Sequence, residues 1–259
     1  MIKLELAISK MKMLKFSASI YELEQILRTI EDTNASHLDF LSQILDLELS
    51  AREINNIKRK INLAQFPIIK TMAEFDFSYR TEINKHSIIS LCDGTFLDRK
   101  ENLIFVGNPG TGKTHLATAI AYEMCQKNRS VLFTTATSLI NRMNEARDEK
   151  VLARFLNQAN KLDLVVIDEI GYLPYEKNES ELLFNFIAER YERGSIIITT
   201  NLPFSKWNEI FYTERLTTAI LDRIIHHCHI FEMSGESYRF SQSLKNKGGK
   251  KNINKKVDN

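Results

Sequence analysis

The residues best suited to chemistry in this sequence form one short run. It reads Gly107-Asn108-Pro109-Gly110-Thr111-Gly112-Lys113-Thr114 and fits the pattern G-x-x-x-x-G-K-[ST] at every fixed position. In such a loop the glycines let consecutive backbone N–H groups point at a phosphate, the lysine reaches the outer phosphates, and the threonine hydroxyl ligates Mg²⁺. The run therefore predicts a site for ATP or a similar nucleotide, with these eight residues around the phosphates and Thr114 on the metal ion.

The residues on either side of this loop fit the same function. Leu103-Ile104-Phe105-Val106 precede it and are typical of a buried strand, and a helical pattern with Ala117, Ala119 and Ala121 starts at Thr114. A helix N-terminus carries a partial positive charge, which adds to the attraction for phosphate. Strand, loop and helix thus follow one another in the order that phosphate binding requires.

A second strand pattern, Leu164–Ile167, ends in two acidic residues, Asp168 and Glu169. In a parallel sheet the carboxyl ends of the strands share one edge, so these acids are expected beside the phosphate loop. Asp168 is suited to hold Mg²⁺ through its water shell. Glu169 is suited to polarise a water molecule that attacks the γ-phosphate. Without the phosphate loop, the pair would read equally well as two solvated acids in a turn.

Three further polar residues are candidates for the same site. Asn201 follows the strand pattern Ile196–Thr200, where its amide can hydrogen-bond the γ-phosphate or the attacking water. Arg223 is a candidate to stabilise the charge that hydrolysis builds, from a neighbouring subunit, and Arg239 is a further candidate cation for the phosphates. Taken alone, the asparagine also suits a turn and the arginines suit surface ion pairs.

Beyond about residue 67 the apolar pattern alternates between helices and strands. Such an order predicts an α/β fold, a parallel sheet with helices on both faces. Few residues follow Asn201, which leaves little room for a C-terminal lid domain. The predicted strands are Leu103–Val106, Val131–Thr135, Leu164–Ile167, Ile196–Thr200 and Ile230–Met233.

The first sixty residues are typical of helices alone. Ser19–Glu22 and Ser36–Asp39 have the form of capping boxes, and each precedes apolar residues at helical spacing. We therefore expect a small helical domain over residues 1–66, for DNA or partner binding, and an ATPase core over residues 67–244. The remaining residues, 245–259, are rich in lysine and nearly free of apolar side chains, so they are expected to form a disordered tail.

Composition restricts the class of protein. The 259 residues are 43% apolar and 26% charged, as in folded globular proteins, and no apolar run reaches the length of a membrane span. The N-terminus lacks a secretory signal pattern, and three widely spaced cysteines offer neither a disulfide framework nor a C-x-x-C metal site. These observations predict a cytoplasmic protein without membrane contact.

Two basic segments are candidates for contact with nucleic acid. One is the Lys-rich tail, which reads equally as a solubilising segment. The other is Ser138–Leu162, where Arg142, Arg147, Lys150, Arg154 and Lys161 alternate with acidic residues, so that a solvated face remains an equal alternative. The run His226-His227-Cys228-His229 does not predict a metal site, because adjacent side chains point in different directions and no second ligand pair is evident.

Taken together, the motifs resemble the DnaC/IstB group of AAA+ ATPases, and within it the IstB-like ATP-binding helpers of insertion-sequence transposases. The resemblance runs from about Leu14 to Leu244. It rests on the phosphate loop, the run Ile167-Asp168-Glu169-Ile170-Gly171-Tyr172-Leu173-Pro174, and four shorter motifs. These motifs are Tyr191–Ser195, Ile198–Phe204, Leu221–Arg223 and Gly235–Arg239.

The resemblance implies roles for individual positions. Asp168 and Glu169 match the Walker B acids, Asn201 matches sensor 1, Arg223 the trans-acting arginine finger and Arg239 sensor 2. The family also lacks the usual AAA+ lid. It implies ATP and Mg²⁺ as cofactors, and an ATP-dependent homo-oligomer on duplex DNA that regulates a cognate transposase. The Lys-rich tail is outside the shared pattern.

Other functions remain open from the sequence. A replicative helicase loader shares the ATPase core, although the first sixty residues lack the clustered cysteines and histidines of some loaders. A small-molecule kinase needs an acceptor pocket, whereas Glu169 and Asn201 suit the activation of water better. A nucleotide-gated binding protein that does not hydrolyse ATP is the remaining alternative.

Overall fold

The computed structural model describes residues 2–33, 35–79, 82–172, 174–235 and 237–238. The chain divides into two compact units, residues 1–59 and 60–259, which are treated separately below. The division falls within one long helix, and the domain boundary placed after residue 66 remains a prediction.

The described residues of the first unit form three helices. They are α1 (Ile2–Met13), α2 (Ala18–Thr33) and α3 (His37–Leu63). The buried side chains of Leu23, Ile26 and Ile44 form the centre of its small core, against which Leu4 and Ile8 pack. The sequence did not predict α1, because its apolar residues alternate with polar ones along Ile2–Leu6 in the manner of a strand. The two helices that were predicted are both present.

Helix α2 begins in a different way from the one predicted. Ser19 is not a capping residue. It is fully buried inside the helix, and a carboxylate from α3 takes the capping role. Glu48 Oε2 accepts hydrogen bonds from the backbone N–H of Ser17 at 2.9 Å and of Ala18 at 3.2 Å. The Ser36–Asp39 box at the start of α3 is confirmed, since Asp39 N donates to Ser36 Oγ and Ser36 N donates to Asp39 Oδ2.

Glu48 is a charged group in an apolar setting, with only 3% of its surface exposed. Burial would raise the pKa of Glu48. The backbone N–H of Ser17, the Arg52 side chain and the Ser19 backbone outweigh burial and hold that pKa below its ordinary value. The carboxylate therefore stabilises the first unit at neutral pH, and this contribution is lost as the pH falls through the lowered pKa.

Glu48→Gln is expected to lower the free energy of unfolding of the first unit by about 1–3 kcal/mol, because the amide keeps the shape but loses the charge-assisted bonds. The measurement is hydrogen exchange of the α2 amides in the full chain at neutral pH. Glu53→Gln, an exposed carboxylate on the same helix, is the matched control and should leave exchange unchanged. If the α2 amides were as well protected from exchange in Glu48→Gln as in Glu53→Gln, the capping role would be ruled out.

The second unit is built on a five-stranded parallel sheet. Its strand order is β2-β3-β4-β1-β5, which places β1 between β4 and β5. The predicted fold class is confirmed, and all five predicted strands are present. They are β1 (Asn102–Gly107), β2 (Val131–Thr135), β3 (Leu164–Ile170), β4 (Ser195–Thr200) and β5 (Cys228–Met233).

Helices cover both faces of the sheet because successive strand residues point to opposite sides. Leu103 and Phe105 of β1 pack into the core beneath one face, while Ile104 packs into the core beneath the other. The helices are α4 (Lys85–Leu91), α5 (Thr95–Asp98), α6 (Lys113–Gln126), α7 (Ala136–Asp148), α8 (Leu152–Ala159), α9 (Lys177–Arg190) and α10 (Glu214–Ile225). Short 3-10 helices occupy Met72–Glu74, Phe77–Tyr79 and Phe204–Glu209.

A buried arginine holds the amino edge of the sheet. Arg190 is 1% exposed and donates to the carbonyl oxygens of Ala159, Leu162 and Ser195. Burial lowers the pKa of Arg190 to about 10. Gly194 allows this close packing, because a Cβ atom there would lie 2.4 Å from the guanidinium. Arg190 thus ties the end of α8 to the start of β4.

The described residues end at Tyr238, a few residues after β5, and contain no lid domain beyond the sheet. Within the same ranges, no helix combines the length and the apolar character that crossing a bilayer requires. The predicted tail, residues 245–259, lies outside the described residues.

Candidate nucleotide-binding site

The phosphate loop connects the carboxyl end of β1 to the start of α6. Helix α6 begins at Lys113, and Gly112, which has no side chain, occupies its N-cap position. Gly107, Gly110 and Gly112 have φ angles of 152°, 77° and 100°, which side-chain-bearing residues rarely adopt. The backbone of the loop is therefore shaped by its glycines, and the N-terminal end of α6 points into it.

The same glycines also let other parts of the chain approach the loop. A Cβ atom on Gly107 would lie 2.0 Å from the carbonyl oxygen of Met233 in β5. One on Gly110 would lie 2.2 Å from Ser237 Oγ, and one on Gly112 would lie 2.7 Å from the Phe75 ring. Each glycine of the pattern thus has a packing reason in addition to its role toward a phosphate.

These contacts predict an order of severity among alanine substitutions. Gly107→Ala should lower the free energy of unfolding by about 2–5 kcal/mol, because the methyl group would meet the backbone of β5 at a left-handed position. Gly110→Ala is the comparison, since its shortest contact would be with Ser237 Oγ, a side-chain atom that can rotate away, whereas Gly107→Ala meets a backbone carbonyl of the sheet. Thermal unfolding without nucleotide should show the larger loss for Gly107→Ala. The opposite order would refute this account of the loop.

Lys113 turns back onto the loop that precedes it. Its Nζ donates to the carbonyl oxygen of Gly107 at 2.6 Å and to that of Asn108 at 2.8 Å. The side chain is 9% exposed, so its charge is held at the mouth of the loop. Thr111 Oγ1 donates to Asn108 O at 2.8 Å and braces the same turn. An anion bound in the loop would meet this ammonium group directly.

The oxygen atoms suited to a divalent cation lie side by side. Thr114 Oγ1 is 3.0 Å and 3.2 Å from the two carboxylate oxygens of Asp168, which is 5% exposed. Hydroxyl and carboxylate oxygens are the ligands that Mg²⁺ takes beside nucleotide phosphates. The pair of residues predicted to hold the metal therefore fits it in chemistry and in position.

The sequence predicted that strand β3 ends at Ile167, before the two acids, and this prediction is wrong. The strand continues to Ile170, and its pairing with β4 shifts between Ile167 and Ile170. This bulge contains Glu169, whose φ angle of 62° is unusual for a residue with a side chain. As a result of the bulge, Asp168 stays buried while Glu169 is exposed at the sheet edge.

The sequence analysis missed Thr199. This residue of β4 is 1% exposed, and its hydroxyl lies between the two acids. Thr199 Oγ1 donates a very short hydrogen bond to Asp168 Oδ1 and accepts one from the backbone N–H of Glu169 at 2.9 Å. A usable signal was present, because two threonines end a strand that is otherwise built of isoleucines at Ile196–Ile198.

Asn201 immediately follows β4 and is exposed. It lies at the carboxyl edge of the sheet, on the strand between the loop-bearing β1 and the acid-bearing β3. Its position is therefore compatible with the predicted contact to a γ-phosphate or a water molecule. Arg239, the other residue predicted to contact phosphate from beyond the sheet, lies outside the described residues.

Arg223 lies at the opposite edge of the sheet. Its Nη1 donates to Ala219 O at 2.9 Å, and its guanidinium stands 4.9 Å from the centre of the Phe184 ring. The end of α10 is fixed to the amino end of β1, where Asn102 Nδ2 donates to Ile224 O at 3.1 Å. Strand β1 rises roughly 17 Å between this point and the phosphate loop. Arg223 is thus remote from the loop of its own chain.

The histidine-rich run does not form a metal site among the described residues, where no three ligand-type side chains come together. Tyr191 Oη and His226 Nδ1 are 2.9 Å apart, and His229 Nε2 is 2.9 Å from Glu101 Oε2. Burial raises the pKa of the Cys228 thiol to about 12. These side chains have ordinary structural partners.

A parallel sheet of this strand order, with the phosphate loop after β1 and paired acids on β3, defines a P-loop protein of the AAA+ class. The solved structures that resemble it have the same fold. AMPPCP-bound DnaA from Aquifex aeolicus matches with a TM-score of 0.54 and 18% identity over 68% of this chain and 54% of its own. The DnaI structure matches with a TM-score of 0.52 and 19% identity over 63% and 90%.

The chain belongs to the family of IstB-like ATP binding proteins, whose family model matches residues 9–246. An insertion sequence IS21 putative ATP-binding protein from Pseudomonas aeruginosa is 36% identical, over 94% of this chain and 91% of its own length. The corresponding IS5376 protein from Geobacillus stearothermophilus is 39% identical, over 81% of this chain and 83% of its own. The predicted resemblance is confirmed.

Proposed function

We propose that this protein is an ATPase of an insertion sequence, which assembles on duplex DNA and helps a transposase to select its DNA target. The observation that carries the ATPase part is the placement of Lys113, Thr114, Asp168 and Glu169 around one crevice. The mobile-element part is supported by family membership and by the names of the relatives, which are insertion-sequence proteins.

Each residue of the crevice has a role that follows from its chemistry. Lys113 neutralises the outer phosphates, and the amides of the loop and of the α6 N-terminus bind the inner ones. Thr114 and Asp168 would hold Mg²⁺, which when bound offsets the charge that develops between the β- and γ-phosphates. Glu169, exposed at the sheet edge, accepts a proton from the attacking water, and Asn201 orients that water.

Arg223 serves a neighbouring copy in this proposal. It is fixed at the amino edge of the sheet, roughly a strand length away from its own loop, so no rotamer can bring it to its own γ-phosphate. It is partly exposed on α10, next to Arg215 and Asp222. Arg223 is too far from the site of its own chain but is accessible to a second copy, so it is suited to complete the site of a neighbouring subunit.

The distribution of charge assigns the DNA contacts in the first unit. Between residues 18 and 50 Arg28 is the only lysine or arginine, whereas Glu22, Glu24, Glu31, Asp32, Asp39, Asp46 and Glu48 are acidic. This acidic stretch would repel phosphates. We therefore assign DNA contact to the two basic segments of the unit, Lys10, Lys12 and Lys15 before this stretch in the sequence and Lys58 and Arg59 after it.

In the second unit, α7 and α8 carry the basic residues singled out by the sequence. Arg142 is 5.5 Å from the Phe155 ring centre, and Arg147 contacts Asp148 at 3.5 Å. Lys150, between the two helices, and Arg154 are exposed. Contacts of this kind reach the DNA backbone and carry little sequence information, so target preference would come from DNA shape or from the transposase.

Glu169→Gln is expected to bind ATP normally but to hydrolyse it at least about a hundredfold more slowly, because the amide cannot accept the proton from water. With ATP and duplex DNA it should form a large, long-lived complex in light scattering, and DNA affinity should fall steeply with added salt. Lys113→Ala is the control and by itself should neither bind ATP nor assemble. Wild-type turnover by Glu169→Gln would remove Glu169 from the mechanism.

The same measurements separate the transposition helper from the helicase loader. A wild-type protein that stays monomeric with ATP and DNA, but binds a purified replicative helicase, would favour the loader function.

Arg223→Ala should bind ATP but lose hydrolysis, because its neighbour's site lacks a cation. A mixture of Arg223→Ala and Lys113→Ala should recover part of the ATPase activity in the presence of DNA. In that mixture the first variant binds ATP, and the second, which cannot bind ATP, supplies an intact Arg223. Arg215→Ala, on the same helix, is the matched control and should retain activity. Failure of the mixture to recover any activity would contradict action between subunits.

A further inference from the structure

We propose that Thr199 is a positioning residue for ATP hydrolysis: its hydroxyl group connects the Asp168 carboxylate to the Glu169 backbone and so fixes the direction of the Glu169 side chain. The inference rests on the proposed ATPase function and adds a residue to it. Neither the phosphate-loop pattern nor the paired acids mark this position, which becomes visible only when β3 and β4 are placed side by side.

The Thr199 hydroxyl acts as donor and as acceptor at the same time. The single O–H donates to Asp168 Oδ1, and a lone pair accepts the N–H of Glu169 at 2.9 Å. Because Thr199 is 1% exposed, water cannot replace either bond. The hydroxyl therefore connects, through hydrogen bonds, the carboxylate suited to hold the metal and the backbone N–H of the residue proposed as the general base.

The bulge in β3 makes this link necessary. Ile167 pairs with Ile198 and Ile170 pairs with Thr200, so the two acids between them have no regular partners on β4. The Glu169 N–H points at the buried Thr199 side chain, where an unpaired donor would be costly, and the left-handed φ of 62° at Glu169 adds strain to the backbone. The Thr199 hydroxyl satisfies the N–H and stabilises the bulge that turns Glu169 out of the strand.

The Asp168 carboxylate receives a second hydroxyl, that of Thr114 at 3.0 Å from the same oxygen. Thr114 belongs to the phosphate loop and is suited to turn to a metal ion, whereas Thr199 is fixed within the sheet. Thr199 thus holds Asp168 in place independently of the nucleotide. Asn201 cannot do this, because it lies beyond the end of β4 and is exposed.

The test compares three substitutions in the full-length protein with DNA present. Thr199→Val keeps the size of the side chain and removes the hydroxyl, and Thr199→Ser keeps the hydroxyl and removes a methyl group. Thr217→Val removes a hydroxyl that is equally buried but donates to the Thr213 carbonyl within α10. Binding of a fluorescent ATP analogue, kcat and KM for ATP hydrolysis, and thermal unfolding are measured for each.

Thr199→Val should lower kcat by at least about tenfold while the affinity for the analogue changes by less than about threefold, since only the direction of the base is lost. Thr199→Ser should restore kcat to within about threefold of the wild type, and Thr217→Val should leave it unchanged. In NMR hydrogen exchange, the Glu169 amide should lose protection in Thr199→Val and keep it in Thr199→Ser.

Unchanged kcat in Thr199→Val, or a loss in Thr199→Ser as large as in Thr199→Val, would overturn the positioning role. If Thr217→Val lost as much kcat as Thr199→Val, the loss would be explained by a general decrease in stability and the positioning role would be overturned. If Thr199→Val melts below the assay temperature, Thr199→Ala provides the same comparison without placing a methyl group against the carboxylate. Absence of hydrolysis by the wild-type protein would refute the proposed ATPase function instead, and the positioning role with it.

Discussion

The parallel pairing of β1 with β4 and of β4 with β3 is the constraint on which the candidate site depends. It places the carboxyl ends of all three strands at one edge, so that a loop, two acids and the residues after β4 converge although they are far apart in sequence. The strands with the loop and the acids are two strand spacings apart, roughly 10 Å. Thr114, which follows β1, and Thr199, on the intervening β4, both bond to Asp168 on β3.

Small side chains make this convergence possible. Gly107 and Gly110 admit β5 and the residues after it against the loop, where any Cβ atom would collide. Two threonine hydroxyls then donate to the Asp168 carboxylate. In the proposed site, a phosphate would meet the backbone N–H groups of the loop and the ammonium group of Lys113.

The sequence predicted those parts of the fold and site that depend on short-range patterns. The phosphate loop, the continuous apolar strands and the alternation of helix and strand all follow from residues that are neighbours in the chain. It missed α1, whose apolar residues alternate at the start as in a strand, and it misplaced the cap of α2, because Glu48 comes from another helix. Thr199 and the bulge at Glu169 were missed for the same reason, since both depend on the alignment of two strands.

The two edges of the sheet have different roles, and this difference bears on assembly. The nucleotide crevice lies at the carboxyl edge, while Arg223 is fixed at the amino edge beside Asn102. If Arg223, at the amino edge of one copy, completes the crevice at the carboxyl edge of another copy, the two copies must be in head-to-tail contact. Under the proposed function, repeated head-to-tail contacts would generate a ring or a helical filament, in which the basic segments of the first unit recur at regular intervals. Weak contacts to DNA phosphates would then add up along the duplex, so that ATP binding would control DNA affinity through assembly, without a separate switch in each subunit.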